Sequence, residues 1–131
     1  MMKIVIVDDS STARMIVRRC LEIAGCRDVE FLEAANGKEA LFLLKEHSVG
    51  FVVTDLNMPV IDGEMLLKRM KSSPRLNEIP LIILSSAVNT AKDRALLEQG
   101  AFAVMSKPIS PAQISKIMSE LIPEKESSYG Y

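Results

Sequence analysis

Short apolar runs alternate along the chain with longer segments whose apolar residues recur at helical spacing. Most of these runs are continuous and rich in β-branched residues, which is typical of parallel strands buried on both faces. The second run differs because Glu30 and Glu33 interrupt it, and we expect it to lie at an edge of the sheet. The predicted strands comprise residues 3–7, 29–33, 51–55, 81–84 and 101–105.

The intervening segments begin with residues that can cap a helix, and most of them end near Gly or Pro. Ser, Thr, Asp and Asn accept hydrogen bonds from the first N–H groups of a helix, whereas Gly commonly follows its last turn. Five helices are predicted in this way: Ser10 or Ser11 caps the first, which stops at Gly25; Asn36-Gly37 opens the second; Asp62 begins the third, which ends near Ser72-Ser73-Pro74; Thr90 caps the fourth, which finishes at Gly100; and Ser110 with Pro111 starts the fifth.

Five strands alternating with five helices predict an α/β fold, in which a doubly wound parallel sheet carries helices on both faces. We predict the flavodoxin-like strand order 2-1-3-4-5 for this sheet. The chain has 131 residues, which is about the size of one ordinary domain. We expect one domain over residues 1–122, followed by a polar, disordered C-terminal tail at residues 123–131.

Composition narrows the possible partners. The formal net charge of −1 gives no basic field that could attract nucleic acid or an anionic membrane, so we predict binding to neither. Because no apolar run approaches the roughly 20 residues of a membrane span, we predict a cytoplasmic protein. Cys20 and Cys26 lack the spacing of a metal or redox motif and His47 is the only histidine, so we expect buried reduced thiols and no metal bound through sulfur or imidazole.

Candidate chemistry lies at the carboxyl ends of the predicted strands. Asp8 and Asp9 follow the first strand, and Asp55 ends the third. In the order 2-1-3-4-5 these two strands are neighbours, so the three carboxylates converge beside the point where the strand order reverses. Like charges this close require a cation, and hard oxygen ligands without His or Cys select Mg²⁺ or Mn²⁺. The sequence therefore predicts a magnesium site.

The next two strand ends add groups that suit a phosphate. Ser85 brings a hydroxyl after the fourth strand, and Lys107 brings an ammonium after the fifth. A cation, a lysine and a hydroxyl donor around a carboxylate can stabilise the charge of a transferring phosphoryl group. We therefore predict that Asp55 is the nucleophile for such a group.

These residues together resemble the response-regulator receiver domain, and most closely its CheY-like, single-domain members. The resemblance covers residues 3–122. It rests on the following positions: Asp8-Asp9, Asp55-Leu56-Asn57-Met58-Pro59 with Asp62-Gly63, Ser85, and Lys107-Pro108. The resemblance implies a phosphorylatable switch of two-component signalling, of the chemotaxis or another type, rather than an enzyme that turns over a substrate. It also implies a monomer without a DNA-binding output domain.

The resemblance further implies a role for each of these residues. Asp55 accepts a phosphoryl group from a phosphohistidine on a sensor histidine kinase or a phosphotransfer protein. Mg²⁺ is held by Asp8 or Asp9, by Asp55 and by the backbone carbonyl of Asn57. Ser85 and Lys107 read the phosphate, the Lys107–Pro108 peptide is cis, and a downstream protein binds the face formed by helix 4, strand 5 and helix 5.

The sequence departs from the family pattern in front of the lysine. Val104 stands where an aromatic residue is usual, three residues before Lys107. Phe102 falls on the same face of the predicted strand by period two, but we do not assign the aromatic role to it. We expect the signal to leave through loop and helix repacking instead. Asn57 and Ala87 are predicted to set how readily water attacks the aspartyl phosphate.

Two other classes of protein are compatible with parts of the pattern. An FMN-binding flavodoxin-like protein could use the hydroxyl groups of residues 10–12 as a phosphate loop. Asp8 and Asp9 would repel that phosphate, and the chain has no Trp and only two Tyr, both in the tail, to stack on a flavin. A Mg²⁺-dependent phosphohydrolase could use Asp55 as its nucleophile, but such chemistry commonly needs a second acid two residues on, where Asn57 stands.

Overall fold

The computed structural model describes residues 1–87 and 89–121. A parallel sheet with the order β2-β1-β3-β4-β5 carries five helices, which confirms the predicted fold class. The predicted tail, residues 123–131, lies outside the described residues. The elements are β1 Met2–Val7, α1 Ser11–Ile23, β2 Val29–Ala34, α2 Gly37–Glu46, β3 Phe51–Asp55, α3 Gly63–Lys71, β4 Leu81–Ser85, α4 Thr90–Glu98, β5 Ala103–Ser106 and α5 Pro111–Leu121.

Alternate residues of the strands supply two apolar layers, one on each face of the sheet. Ile4, Ile6 and Val53 pack with the buried sides of α1 and α5. Val5 and Val52 point the other way and pack with α2, α3 and α4. β3 lies in the middle of the sheet and all five of its residues are buried. The site at the end of β3 is therefore built on a fully buried central strand.

β2 is an edge strand, as its glutamates predicted. Glu30 and Glu33 are both exposed, and β2 pairs only with β1 among the described strands. Most predicted helix caps are also confirmed: the side chains of Ser10, Asn36 and Asp62 each accept a hydrogen bond from a backbone N–H in the first turn of their helix.

Two predicted boundaries at the far edge of the sheet are wrong. Asn89, and not Thr90, caps α4, because its backbone is extended and its side-chain oxygen accepts from Lys92 N–H at 3.0 Å. β5 begins at Ala103 and not at Ala101, since the Ala101 N–H still bonds to Leu96 at the end of α4. Phe102 consequently precedes the strand, so its predicted place on a strand face is wrong.

The two cysteines lie in the layer between the sheet and the helices α1 and α5. Cys20 and Cys26 are both buried, and neither forms a disulfide, as predicted. The Cys26 thiol donates towards the Met118 sulfur at 3.8 Å. Within residues 1–87 and 89–121, no helix has the length and apolar character needed to cross a bilayer.

Candidate functional site

Three carboxylates meet at the carboxyl edge of the sheet. β1 and β3 are neighbours with Val7 opposite Thr54, so the residues that follow this pair, Asp8 and Asp55, come to lie side by side. One carboxylate oxygen from each of Asp8, Asp9 and Asp55 lies within 4.8 Å of the others. Asp8 and Asp55 are buried, whereas Asp9 is exposed. The predicted convergence of these side chains is therefore confirmed.

Hydrogen bonds fix the position of Asp8, and its surroundings disfavour the ionised form of its carboxyl group. Its N–H donates to the carbonyl of Ala34 in β2 at 3.0 Å, and its Oδ1 accepts from Ser10 N–H at 3.0 Å. Burial raises the pKa of Asp8, and the negative charge of Asp55 raises it further. The Ser10 N–H and the Lys107 charge only partly offset this increase. The site thus holds a carboxylate whose ionised form gains from an added cation.

Lys107 supplies the positive charge of the site. Its Nζ lies 2.8 Å from Asp55 Oδ1 and 3.6 Å from Asp8 Oδ2. Burial alone would lower the pKa of Lys107, but the hydrogen bond and charge of Asp55, with the charge of Asp8, raise it above its ordinary value. Lys107 therefore stays protonated at neutral pH as a fixed charge beside Asp55. The Lys107–Pro108 peptide is cis, as predicted.

The donor set fits a hard divalent cation. Three carboxylates face one ammonium, so the cluster retains excess negative charge, and all of its ligand atoms are oxygens. The exposure of Asp9 leaves room for the water ligands that Mg²⁺ keeps. Asn57 is exposed in the loop after β3, and its backbone carbonyl as a ligand stays a prediction.

Ser85 is positioned at the end of β4, but its hydroxyl turns onto its own loop. The side chain is buried, and Oγ donates to the carbonyl of Ala87 at 3.0 Å. The backbone links Ser85 to the lysine, because Lys107 N–H donates to the Ser85 carbonyl at 2.8 Å. The sequence predicted where Ser85 lies, and the structure adds that its hydroxyl already has an acceptor.

The loop from β3 to α3 is tied down at both ends. Gly63 N–H donates to the Leu56 carbonyl at 2.8 Å, and Gly37 N–H donates to the Ile61 carbonyl at 3.1 Å. A Cβ on Gly63 would lie 2.6 Å from the carbonyl oxygen of Asp55, so only glycine allows this approach. Between the two ties, Val60 has a positive φ of 69°. This loop therefore fixes the backbone that carries Asp55.

Sequence reasoning missed two residues that shape the site. Arg14, one turn into α1, donates to the backbone carbonyl of Asp8. Gly37 anchors the β3–α3 loop from α2. The sequence signal for Arg14 was its helical spacing, because it lies three residues before Val17 and seven before Leu21, both of which are buried in α1. Val104 lies opposite Ile83 and is half-buried against the second apolar layer, as its role as strand filler predicted.

A polar bridge joins α3 to α4 beside the site. Glu64, directly after Gly63, accepts hydrogen bonds from Lys92 Nζ and, at 3.0 Å, from Gln99 Nε2. The bond from Lys92, followed by that from Gln99, lowers the pKa of Glu64 below its ordinary value of 4.5. Glu64 thus connects α3 to residues near both ends of α4.

We expect Glu64→Gln to lower the free energy of unfolding at pH 7 by about 0.5–1 kcal/mol, since Lys92 is partly screened by solvent. A carboxylate with a depressed pKa contributes stability above its unfolded value of 4.5, and that stability is lost as pH falls through the folded value. Urea unfolding from pH 7 to pH 3 should show the variant and the wild type converging on acidification. A constant gap, or an equal loss in the control Glu98→Gln on the exposed side of α4, would contradict this.

Comparisons with known proteins agree with this geometry. The family model of the response regulator receiver domain matches residues 4–119. The two-component response regulator ORR5 of Oryza sativa subsp. japonica is 38% identical over 119 residues, which cover 88% of this chain and 85% of that protein. ORR3 of the same subspecies is 35% identical over 117 residues, covering 88% of this chain and 87% of that protein.

Solved structures show the same fold. A response regulator receiver domain protein from Clostridium thermocellum superposes with a TM-score of 0.81 at 28% identity, covering 96% of this chain and 98% of that one. The chemotaxis response regulator CheY4 of Vibrio cholerae gives a TM-score of 0.79 at 28% identity, with 92% and 98% covered.

The fold, the acidic edge and these matches define a receiver domain of two-component signalling. The chain belongs to the response regulator receiver domain family. Members of this family are signalling switches and not metabolic enzymes, which confirms the class predicted from the sequence. The relatives and solved structures named above are response regulators, neither phosphohydrolases nor flavodoxins.

Proposed function

We propose that Asp55 accepts a phosphoryl group from a phosphohistidine of a sensor histidine kinase or a phosphotransfer protein, and that the modified chain then binds a downstream protein. The observation that carries this proposal is the convergence on Asp55: two further carboxylates and the Lys107 ammonium surround it at the end of the central strand. This arrangement combines a nucleophile, a candidate cation site and a fixed positive charge at the carboxyl edge of the sheet.

In the proposed transfer, a bond forms from an Asp55 carboxylate oxygen to phosphorus as the bond from phosphorus to the donor imidazole nitrogen breaks. Lys107, whose pKa is raised, remains charged and attracts the phosphoryl oxygens that arrive at its partner Asp55. Mg²⁺, when held by Asp8, Asp9, Asp55 and the Asn57 carbonyl, supplies charge neutralisation for the phosphoryl oxygens. Mn²⁺ suits the same oxygen ligands.

The proposed switch begins with the two residues that face the phosphate. A phosphoryl oxygen on Asp55 competes for the Ser85 hydroxyl, which now donates to Ala87, and for the ammonium of Lys107. The bond between Lys107 N–H and the Ser85 carbonyl links the backbones of these two residues, so a shift of one residue would affect the other. Phosphorylation thereby biases the loops that lead into α4 and α5.

We propose the face formed by α4, β5 and α5 as the output surface. β5 is the edge strand on this side of the described sheet, and the apolar side chains of Leu97 and Phe102 are exposed beside it. Exposed apolar groups at a sheet edge suit a protein partner. CheY4 of Vibrio cholerae is named as a chemotaxis response regulator, and the Oryza sativa relatives are named as two-component response regulators.

The test is to incubate the purified chain with a small phosphodonor and Mg²⁺ and to follow its intact mass. We expect one added phosphoryl group, mapped by peptide fragmentation to residue 55, and little or none when a chelator removes the Mg²⁺. Hydroxylamine should release the group, because it cleaves acyl phosphates. A stable adduct on a serine, or none after prolonged incubation with Mg²⁺, would overturn the proposal.

A further inference from the structure

Arg14 is the residue of α1 that reaches the acidic edge. Its side chain is only 17% exposed, although it lies in the first turns of a surface helix. Nη1 donates to the backbone carbonyl of Asp8 at 2.6 Å, and Nε donates to Glu33 Oε1 in β2 at 2.7 Å. The guanidinium therefore spans from β2 to the turn after β1.

The carbonyl that Arg14 contacts belongs to the peptide between Asp8 and Asp9. This peptide joins the two residues that carry the carboxylates, so its orientation influences the direction of both side chains. Asp8 is also held by the Ala34 carbonyl through its N–H and by the Ser10 N–H through its Oδ1. A third hydrogen bond to Asp8 comes from Arg14, whose planar guanidinium can donate to two acceptors at once.

We propose that Arg14 is a positioning residue for cation binding: it fixes the peptide between Asp8 and Asp9, and Glu33 orients its guanidinium. This inference deepens the proposed function, on whose cation site it rests. Groups that orient metal ligands by hydrogen bonding commonly change metal affinity when they are removed.

Electrostatic repulsion alone would change the Mg²⁺ affinity of the Arg14 variant in the opposite direction. A guanidinium near three carboxylates repels an incoming divalent cation, so removing it should tighten Mg²⁺ binding if charge alone mattered. Loss of positioning should weaken Mg²⁺ binding instead. The sign of the change therefore separates the two roles of Arg14.

The experiment is an isothermal titration of Mg²⁺ into the purified chain, with no phosphodonor present. We expect Arg14→Ala to weaken the affinity about tenfold or more. Arg14→Lys should recover part of the loss, because an ammonium can reach one of the two acceptors but has no fork. Glu33→Gln, which keeps an acceptor but loses its charge, should fall between the wild type and Arg14→Ala.

The matched control is Arg19→Ala, which removes the same charge from an exposed position five residues along α1. It should leave Mg²⁺ affinity within about twofold of the wild type. Thermal unfolding without metal identifies any variant that fails to fold. If Arg14→Ala does not fold, the Mg²⁺ affinities of Arg14→Lys and Glu33→Gln test the inference. Unchanged or tighter Mg²⁺ binding in the folded Arg14 and Glu33 variants, or no Mg²⁺ binding by the wild type, would overturn the inference. If Asp55 takes up no phosphoryl group but the affinities follow this order, the phosphoacceptor proposal fails and the positioning role stands.

Discussion

Asp55→Asn is expected to abolish uptake of a phosphoryl group, at least about a hundredfold below the wild type. An amide oxygen is a poor nucleophile, and the change also removes the negative charge that holds Lys107 at 2.8 Å. Both the attacking atom and the alignment of the ammonium are therefore lost together. Intact mass measured over time with a small phosphodonor and Mg²⁺ gives the rate, and circular dichroism shows whether the variant is folded.

Asp62→Asn is the matched control for this prediction. Asp62 is exposed at the start of α3, where its side-chain oxygen accepts from Met65 N–H at 2.8 Å. Asn caps a helix about as well as Asp, so this variant should fold and become phosphorylated like the wild type. Comparable adduct formation in Asp55→Asn would show that another residue is the acceptor, and the reading of the site would fail.

Gly63→Ala is expected to destabilise the fold by about 2–3 kcal/mol, which is large for adding one methyl group. The new Cβ would lie 2.6 Å from the Asp55 carbonyl oxygen and 2.9 Å from the Leu56 Cα. Both atoms belong to backbone held in the sheet or by the Leu56 N–H bond to Leu84, so neither can move cheaply. Urea unfolding of the wild type and the variant measures the loss.

Gly50→Ala tests whether this cost comes from the backbone contact. A Cβ on Gly50 would also be close to a neighbour, 2.7 Å from Met2 Cγ, but that atom belongs to a flexible side chain. We expect a loss below about 1 kcal/mol for Gly50→Ala. Equal losses in the two variants would show that the fixed backbone around Asp55 is not the cause.

The strand pattern predicted the architecture well because burial on both faces leaves a clear mark in a sequence. The run that ends at Asp55 is apolar on both faces, and the structure buries all of its residues. Since parallel strands end at the same edge, the sequence positions of Asp8 and Asp55 were sufficient to predict their convergence. The prediction of a cation site rests on that convergence and on the oxygen ligands that it brings together.

Other features depend on side-chain and backbone choices that a sequence does not specify. The Ser85 hydroxyl could turn towards Asp55 or towards its own loop, and in the folded chain it donates to the Ala87 carbonyl. Asn89 and Thr90 can both cap a helix, and the extended backbone at Asn89 decides between them. Arg14 lies on the same stripe of α1 as the buried Val17 and Leu21, but that spacing does not identify its partner. Its role depends on a contact with Asp8 that arises only in the folded chain.

The rate at which a reagent labels the buried cysteines can be used to measure opening of the fold. Cys20 and Cys26 lie between the sheet and the pair α1 and α5, and burial raises the pKa of the Cys20 thiol. Because both thiols are buried, we expect a thiol reagent to modify them slowly and to react faster when this layer opens. The acidic edge and α4 lie outside the layer. Labelling rates before and after phosphorylation thus distinguish a signal confined to the α4 side from one that loosens the whole domain.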